Sequence, residues 1–308
     1  MPQTVFITGT AGFIGKNTAK EASQQGYVVV GIDKIDNPLD INYQYGISHF
    51  VKSSCSIDSL DIAAERYGLP YSIIHCAGSA SVPSSFNNPH GDFLANVGTT
   101  LDVLEFSRKH NNIRVVIPSS AAVYGNSQNI PLKEDEFPYP VSPYGVDKLI
   151  AEQISRSYAV NFGVPVICIR LFSVYGAGLK KQLLWDACKK ASVGKFHFLG
   201  TGDEVRDWIH ISDVAILLIS AINLASDKCP IVNGGTGIGT SVREILTLLG
   251  SIWTPKLKPE FTGEERRGDP SQYIADIHRL SQLGYNFQKN LEVGLAEYLS
   301  WYKRESSL

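Results

Sequence analysis

The sequence has few cysteines and no closely spaced cysteine pair. Its five cysteines, Cys55, Cys76, Cys168, Cys188 and Cys229, are odd in number and widely scattered, and no C-x-x-C motif occurs. This pattern argues against a disulfide framework and predicts reduced core thiols in a cytoplasmic protein. The seven histidines form no recurring ligand spacing with Cys, Asp or Glu, so no metal site is expected.

The sequence also lacks an excess of one charge and a long apolar segment. The formal net charge is -2, which argues against a broad nucleic-acid surface. The longest apolar run, 215–225, is far shorter than the ~20 residues that span a bilayer, and is expected to be a buried helix. Met1 leads directly into an apolar strand rather than a basic leader, so export is not expected. These absences favour small-molecule partners over nucleic acid or membrane.

What the chain does contain, at its start, is a strand, a glycine turn and a helix. Residues 4–8 are an apolar run with β-branched side chains, Gly9, Gly12 and Gly15 follow, and a helical pattern continues to about Gln25. Glycines at these positions permit a tight turn and close approach of the backbone to a pyrophosphate, which lies at the positive end of the helix. The pattern predicts a dinucleotide site.

An acidic residue after the second strand indicates which dinucleotide binds. Strand 27–32 ends on Asp33, which follows Gly15 by 18 positions. A carboxylate there accepts hydrogen bonds from the ribose hydroxyls and repels a 2′-phosphate, so NAD is favoured over NADP. Lys34 weakens that preference. The alternative for Asp33 is a solvated carboxylate at a strand end.

Strand and helix patterns continue to alternate through the first half of the chain. A helix is predicted from about Asp58, a strand over 71–75, a helix over about 92–110 and a strand over 113–117. This alternation is typical of a doubly wound α/β fold, in which ligands bind at the carboxyl ends of parallel strands. Four predicted strand ends contribute to that edge: Gly9, Asp33, Ala77-Gly78 and Ser119-Ser120.

A tyrosine and a lysine lie four residues apart in the segment 144–148. If Tyr144 opens a helix, Lys148 lies one turn later on the same face, where its ammonium stabilises a phenolate. A free phenol has a pKa of roughly 10, so Tyr144 needs such a charge to act as a general base. The same spacing in 285–289 has no serine-rich strand end before it, and we interpret that copy as chance.

Six ordered segments resemble a known family. They are Gly9-Thr-Ala-Gly12-Phe-Ile-Gly15, Asp33, His75-Cys-Ala-Gly78, Asn96-Val-Gly-Thr-Thr-Leu101, Ser119-Ser-Ala-Ala-Val-Tyr-Gly125 and Pro143-Tyr144-Gly-Val-Asp-Lys148. Together they resemble the extended short-chain dehydrogenase/reductases that act on nucleotide-diphosphate sugars, of the UDP-glucose 4-epimerase type. The resemblance implies a catalytic triad of Ser120, Tyr144 and Lys148. It implies NAD contacts from Gly9, Gly12, Phe13, Ile14, Gly15, Asp33, Ala77, Asn96 and Lys148. Cys55 departs from it, because relatives carry an acidic residue there near the adenine.

The resemblance continues into the second half of the chain. Ser173 follows a strand and stands where many relatives use asparagine to hold the substrate. Arg206 and Arg267 lie in segments whose arginines contact the nucleotide diphosphate, and a guanidinium suits that role because it donates two parallel hydrogen bonds to phosphate oxygens. The alternative for each arginine is a surface ion pair with the aspartate that closely follows it. The residues expected to bind a UDP-sugar are Ser81, Ser120, Tyr144, Ser173, Arg206 and Arg267.

The expected organisation is two interlocked domains. Residues 1–172 are predicted to form the Rossmann domain, with 205–235 returning to it, and residues 173–308 a smaller mixed α/β substrate domain. The resemblance implies a homodimer that pairs the helices near 92–110 and 144–162.

The residues after Ser120 narrow the range of possible reactions. Dehydratase relatives carry an acidic pair there to eliminate water, whereas this chain has Ala121 and Ala122. The favoured function is therefore C4 epimerisation of a nucleotide sugar through a 4-keto intermediate. A 4-keto-sugar reductase that uses the same triad once is the nearest alternative, and a decarboxylase or 2-epimerase stays open. A non-catalytic dinucleotide sensor is disfavoured, because it has no need for the triad.

Overall fold

The computed structural model describes residues 2–35, 39–263, 271–285, 287 and 289–307, with the backbone alone for 39–41. Within it the chain forms two compact units. Unit 1 comprises Met1–Gly125, Glu136–Leu171 and Val214–Val232. Unit 2 comprises Asn126–Asp135, Phe172–Asp213 and Asn233–Leu308.

Strands and helices alternate along most of the described chain. The strands are β1 (Thr4–Thr8), β2 (Val28–Asp33), β3 (His49–Lys52), β4 (Ser72–His75), β5 (Arg114–Ser120), β6 (Val166–Leu171), β7 (Ser173–Tyr175), β8 (His197–Phe198), β9 (Val205–His210), β10 (Ile231–Gly234), β11 (Gly239–Ser241), β12 (Glu260–Phe261) and β13 (Gln272–Tyr273). The helices are α1 (Phe13–Gln24), α2 (Leu39–Gln44), α3 (Ile57–Tyr67), α4 (Val82–Asn87), α5 (Pro89–Phe93), α6 (Thr99–Lys109), α7 (Pro143–Phe162), α8 (Gln182–Ser192), α9 (Ile211–Ser220), α10 (Val242–Trp253), α11 (His278–Gln282) and α12 (Leu291–Glu305). Short 3-10 turns cover Ala121–Tyr124 and Ala221–Leu224.

A seven-stranded sheet in the order β10-β6-β5-β4-β1-β2-β3 confirms the predicted fold class. The pairs from β6 to β3 are all parallel. The middle residues of the central strands are apolar, as expected where helices cover both faces of a sheet; Phe6, Ile73 and Val115 are fully buried. The chain leaves β1 toward β2 on one side and reaches β4 on the other. In open α/β sheets this reversal marks the ligand crevice, at the carboxyl ends of the strands.

Unit 2 contains the smaller sheets. Strand β9 pairs antiparallel with β11 and parallel with both β13 and β7. A separate pair joins β8 and β12. Ser173 and Arg206 lie on β7 and β9, so this sheet carries two of the predicted substrate residues.

The helix predicted over about 92–110 is three segments. Helix α5 begins at Pro89, earlier than expected, because Pro89 is favoured in a first helical turn and the Asn88 side chain accepts a hydrogen bond from the Gly91 N–H at 3.0 Å. A π-helical turn, Leu94–Gly98, then separates α5 from α6. Turns of this kind insert one extra residue and are frequent at functional sites. Here the turn contains Asn96.

The apolar run 215–225 spans most of α9 and the 3-10 turn after it, as expected for a buried helix. Val214, Leu218 and Ile222 are fully buried. No helix in the part of the chain that the structure describes is long and apolar enough to cross a membrane.

Candidate active site

The glycine turn between β1 and α1 forms a cradle that side chains would fill. Gly9 has φ +71°, and a Cβ there would lie 2.6 Å from the backbone nitrogen of Ala77. A Cβ on Gly15 would overlap the backbone of Gly9. Gly12 is the N-cap of α1 and supplies no side-chain cap, so the first N–H groups of the helix are available to an anion. Phe13 and Ile14 complete this first turn.

Asp33 lies at the edge of the cradle. Its Oδ2 accepts a hydrogen bond from the Ala11 N–H and its Oδ1 accepts one from the Ile35 N–H, both at 2.9 Å. The side chain is 9% exposed, so the solvated carboxylate considered as the alternative does not describe it. These bonds hold the carboxylate beside the glycine turn. The contact of Asp33 with a ribose stays a prediction.

Asn96 provides a buried acceptor near the end of β4. Its side chain is 2% exposed, and its Nδ2 donates to the Asp92 carbonyl at 3.1 Å. Its Oδ1 is buried and has no hydrogen-bond partner among the described residues. A Cβ on Gly78 would lie 2.8 Å from that oxygen. The Ala77 N–H donates to Thr8 Oγ1 at 3.1 Å, which fixes the strand end beside it. An unsatisfied acceptor and a glycine-lined cradle fit a bound NAD.

The structure brings Ser120, Tyr144 and Lys148 together. Helix α7 begins at Pro143, and the Ser142 side chain caps it by accepting a hydrogen bond from the Gly145 N–H at 3.1 Å. Tyr144 is therefore in the first turn, as predicted, and it lies close enough to Ser120 at the end of β5 for the serine hydroxyl to lower the pKa of its phenol. Lys148 Nζ lies 5.9 Å from the Tyr144 ring centroid and donates to the Pro118 carbonyl at 3.1 Å.

Burial favours the neutral forms of both Tyr144 and Lys148. It raises the pKa of Tyr144, and the Ser120 hydrogen bond lowers it in part. Burial lowers the pKa of Lys148, and the charges of Cys76, Asp92 and Glu152 oppose that effect. A working phenolate therefore depends on an ammonium that the surrounding acids keep protonated. His75 also contacts this region, with Nδ1 2.8 Å from Thr8 Oγ1 and a pKa lowered to about 3 by burial and by Lys148.

A buried ion pair supports the strand end that carries Ser120. Glu152, one helical turn after Lys148, accepts hydrogen bonds from Arg170 Nη2 at 2.8 Å and Nε at 3.0 Å. Ser119 Oγ donates to Glu152 Oε1 at 2.5 Å. Both side chains of the pair are 3% exposed. This network was not predicted, because residues so far apart in sequence give no periodic signal.

Comparison with known proteins places this geometry in a family. The model of the NAD dependent epimerase/dehydratase family matches residues 5–233. The chain belongs to this family. The predicted resemblance and the NAD cofactor are thereby confirmed.

Several named members of the epimerase/dehydratase family match nearly the whole length of this chain. A UDP-glucose 4-epimerase of Oryza sativa subsp. japonica is 33% identical over 303 residues, which is 87% of this chain and 81% of that protein. The structure of UDP-glucose 4-epimerase from Thermotoga maritima with UDP-glucose has a TM-score of 0.87 at 26% identity, over 98% and 99% of the two chains. The enzyme from Brucella ovis in complex with NAD has a TM-score of 0.86 at 30% identity, over 97% and 98%.

The structure describes only one of the two arginines that are predicted to contact the nucleotide diphosphate. In unit 2 of this family member, Arg206 donates to the Val205 carbonyl at 2.9 Å, and its guanidinium lies 5.7 Å from the Tyr273 ring centroid. Asp207 is fully buried, and its carboxylate accepts hydrogen bonds from the Thr236 N–H and hydroxyl, each at 2.7 Å. It is therefore not the surface partner of Arg206 considered above. Arg267 lies outside the described residues.

The two predicted substrate serines beyond the triad have structural partners. Ser81 is the N-cap of α4, where its Oγ accepts hydrogen bonds from the Ser84 N–H at 3.2 Å and the Ser84 hydroxyl at 2.7 Å. Ser173 is half-buried at the start of β7 and pairs in register with Trp208. A role for either in substrate binding stays a prediction.

Proposed function

We propose that this protein interconverts the C4 epimers of a UDP-sugar. The observation that carries the proposal is the placement of Tyr144 beside Ser120, whose hydroxyl lowers the pKa of the phenol, with Lys148 one turn away on the same helix and 5.9 Å from the Tyr144 ring centroid. The glycine cradle lies at the same edge of the sheet in unit 1. The named relatives, UDP-glucose 4-epimerases from a plant and two bacteria, support the choice of reaction.

Tyr144, Ser120 and Lys148 each have a separate role in the proposed reaction. Tyr144, as the phenolate, takes the proton from the sugar 4-hydroxyl. Ser120 donates a hydrogen bond to the same sugar oxygen, and the Lys148 ammonium lowers the free energy of the phenolate. NAD held by the glycine cradle and Asn96 would supply the hydride acceptor and donor that oxidation and reduction at C4 require. Because the keto sugar turns before the hydrogen returns, the product carries the opposite configuration at C4, and Tyr144 gives its proton back.

The residues after Ser120 support epimerisation over dehydration. Ala121 and Ala122 occupy the 3-10 turn that follows β5, where elimination of water would need an acid and a base. Ala121 is 4% exposed, so the turn is packed with apolar atoms where it faces the core. A 4,6-dehydratase is therefore not proposed.

The proposed contact with the diphosphate follows from the chemistry of the arginine side chain. Arg206, and Arg267 by resemblance, are proposed to pair with the diphosphate of the nucleotide sugar.

A homodimer is proposed through α6 and α7, which present exposed apolar side chains. Leu101 is 42%, Val160 65% and Phe162 50% exposed.

The first test is to identify what the purified protein releases when it is denatured. An epimerase regenerates its cofactor in every cycle and can retain it, so we expect about one NAD per chain by mass spectrometry of the released nucleotide. Light scattering on the same preparation before denaturation is expected to give the mass of a dimer.

A reductase consumes reduced cofactor and must exchange it. A protein that arrives without nucleotide, binds NADH transiently and reduces 4-keto sugars would contradict the epimerase proposal and support the reductase. The corresponding control is NADPH, which the Asp33 carboxylate is expected to disfavour.

A further inference from the structure

A buried histidine connects the end of β1 to the start of α6. His75 is the last residue of β4 and is 4% exposed, and Thr8 lies opposite it in register on β1. The His75 Nδ1 lies 2.8 Å from Thr8 Oγ1, and the Nε2 lies 3.2 Å from the Oγ1 of Thr99, the first residue of α6. Both ring nitrogens therefore have a hydroxyl partner, and the ring bridges two elements that are far apart in sequence.

The threonine hydroxyls determine which nitrogen of His75 carries the hydrogen. Thr99 Oγ1 donates its single hydrogen to the Ala95 carbonyl at 2.7 Å, so it can only accept a hydrogen bond from the ring. The His75 Nε2 must therefore carry a hydrogen, and in the neutral ring Nδ1 is then an acceptor for the Thr8 hydroxyl. Burial, and then the charge of Lys148, lower the pKa of His75 to about 3, which keeps the ring neutral.

One arm of this network ends at the chain that follows β4. Thr8 Oγ1, which gives its hydrogen to His75, accepts a hydrogen bond from the Ala77 N–H at 3.1 Å. Gly78 comes next with φ +153°, and a Cβ there would lie 2.8 Å from Asn96 Oδ1. The chain after β4 thus passes directly beside the Asn96 side chain.

The other arm ends at the π-helical turn that contains Asn96. The Thr99 hydroxyl holds the carbonyl of Ala95, and the Thr99 N–H donates to the Leu94 carbonyl, the bond expected of a π turn. The Asn96 Nδ2 donates to the Asp92 carbonyl at 3.1 Å, whereas its buried Oδ1 has no hydrogen-bond partner among the described residues. A buried acceptor of this kind suits a hydroxyl or amide donor of NAD.

We propose that His75 is a positioning residue for the cofactor, whose neutral ring, with its hydrogen on Nε2, fixes the π-helical turn so that Asn96 Oδ1 is already placed to accept a hydrogen bond from NAD. An acceptor that is fixed before binding loses less conformational entropy when NAD arrives, so the bridge tightens binding by acting through Asn96. The inference rests on the proposed NAD contact of Asn96, and it is independent of the reaction that the sugar undergoes.

The state of the ring is tested by ¹⁵N NMR of the NAD-loaded protein labelled at its histidine side chains. The signals that disappear in His75→Gln belong to His75. They should show a neutral ring protonated at Nε2 and unchanged between about pH 5 and about pH 8, the range in which an ordinary histidine titrates. A ring protonated at Nδ1, or one that titrates in that range, would overturn the proposed bridge.

The effect on the cofactor is measured as the rate at which the loaded protein releases NAD, with added formate dehydrogenase and formate converting free NAD into NADH. Thr99→Val removes the hydroxyl that joins His75 to Ala95 and keeps the branched shape, and we expect it to release NAD about 3- to 10-fold faster. Thr99→Ser keeps the hydroxyl and should release NAD at close to the wild-type rate.

A threonine in unit 2 provides the matched control. Thr247 on α10 makes the same kind of bond to a carbonyl four residues earlier, with its Oγ1 donating to the Arg243 carbonyl at 2.7 Å. It has no part in the His75 network. Thr247→Val should therefore leave the rate of NAD release unchanged.

A double variant shows whether Thr99 acts through Asn96. Asn96→Ala removes the acceptor and should itself speed the release of NAD. Adding Thr99→Val to it should have no further effect, because the bridge then has no side-chain oxygen to position. Wild-type release from Thr99→Val, or effects of the two substitutions that multiply, would overturn the positioning role.

The remaining outcomes keep this inference separate from the proposed reaction. Unchanged release from Asn96→Ala would overturn the NAD contact on which the inference rests. The NMR measurement decides the state of the ring even if Thr99→Val does not fold. No sugar is present in any of these measurements, so failure of the epimerase proposal would leave them intact.

Discussion

Tyr144→Phe is expected to lower kcat for interconversion of UDP-sugar epimers by about 10²- to 10⁴-fold, the range attributed to a positioned general base. The variant keeps the ring and loses the phenolic hydroxyl beside Ser120. The ring packs in the first turn of α7, so the helix and the glycine cradle should be unaffected. The NAD released on denaturation should therefore stay at the wild-type amount.

A tyrosine on the same helix provides the control. Tyr158 hydroxyl donates to Glu105 at 3.2 Å, and Tyr158→Phe removes one phenolic hydroxyl without touching the proposed site. Its kcat should lie close to that of the wild type. A Tyr144→Phe variant that keeps more than about a tenth of the wild-type kcat would remove Tyr144 from the mechanism.

Glu152→Ala should lower the free energy of unfolding by about 3–5 kcal/mol, the usual effect of breaking a buried ion pair by removing one partner. The substitution takes away the carboxylate that Arg170 and Ser119 contact, and it leaves a guanidinium charge inside the protein. Urea unfolding at neutral pH, followed by circular dichroism, measures the change.

Two further variants show whether charge burial is the cause. The double substitution Glu152→Leu with Arg170→Met should recover much of the loss, because it removes both charges and keeps apolar volume. Asp61→Ala breaks the Asp61–His110 pair, whose side chains are 41% and 32% exposed, and should cost less than about 1 kcal/mol. A double variant no more stable than Glu152→Ala would contradict the electrostatic explanation.

The parts predicted well from sequence are those that local pattern determines. The β-branched run before Gly9, the glycine spacing and the apolar helix after it are all read within 25 residues, and the structure has β1, the turn and α1 there. The start of α7 also has a local cause, because Pro143 is favoured in a first helical turn and the Ser142 side chain caps the helix. Local signals also placed Asp33 at the end of β2.

The parts that were missed depend on contacts between distant segments. Glu152 meets Arg170 because α7 lies over β6. Nothing in a single sequence says that a carboxylate in a polar-looking helix position will be buried. The π-helical turn was missed for a related reason. Its residues continue a helical pattern, and the extra residue shows only in the backbone hydrogen bonds.

The measurement that tests the central claim most directly uses UDP-glucose with deuterium at C4, incubated with the wild-type protein in ordinary water. The account predicts UDP-galactose that retains the deuterium at C4, because the hydrogen removed from C4 returns to C4 without exchange with solvent. UDP-galactose with ordinary hydrogen at C4 would contradict the account, since it would require proton chemistry at carbon in place of hydride transfer.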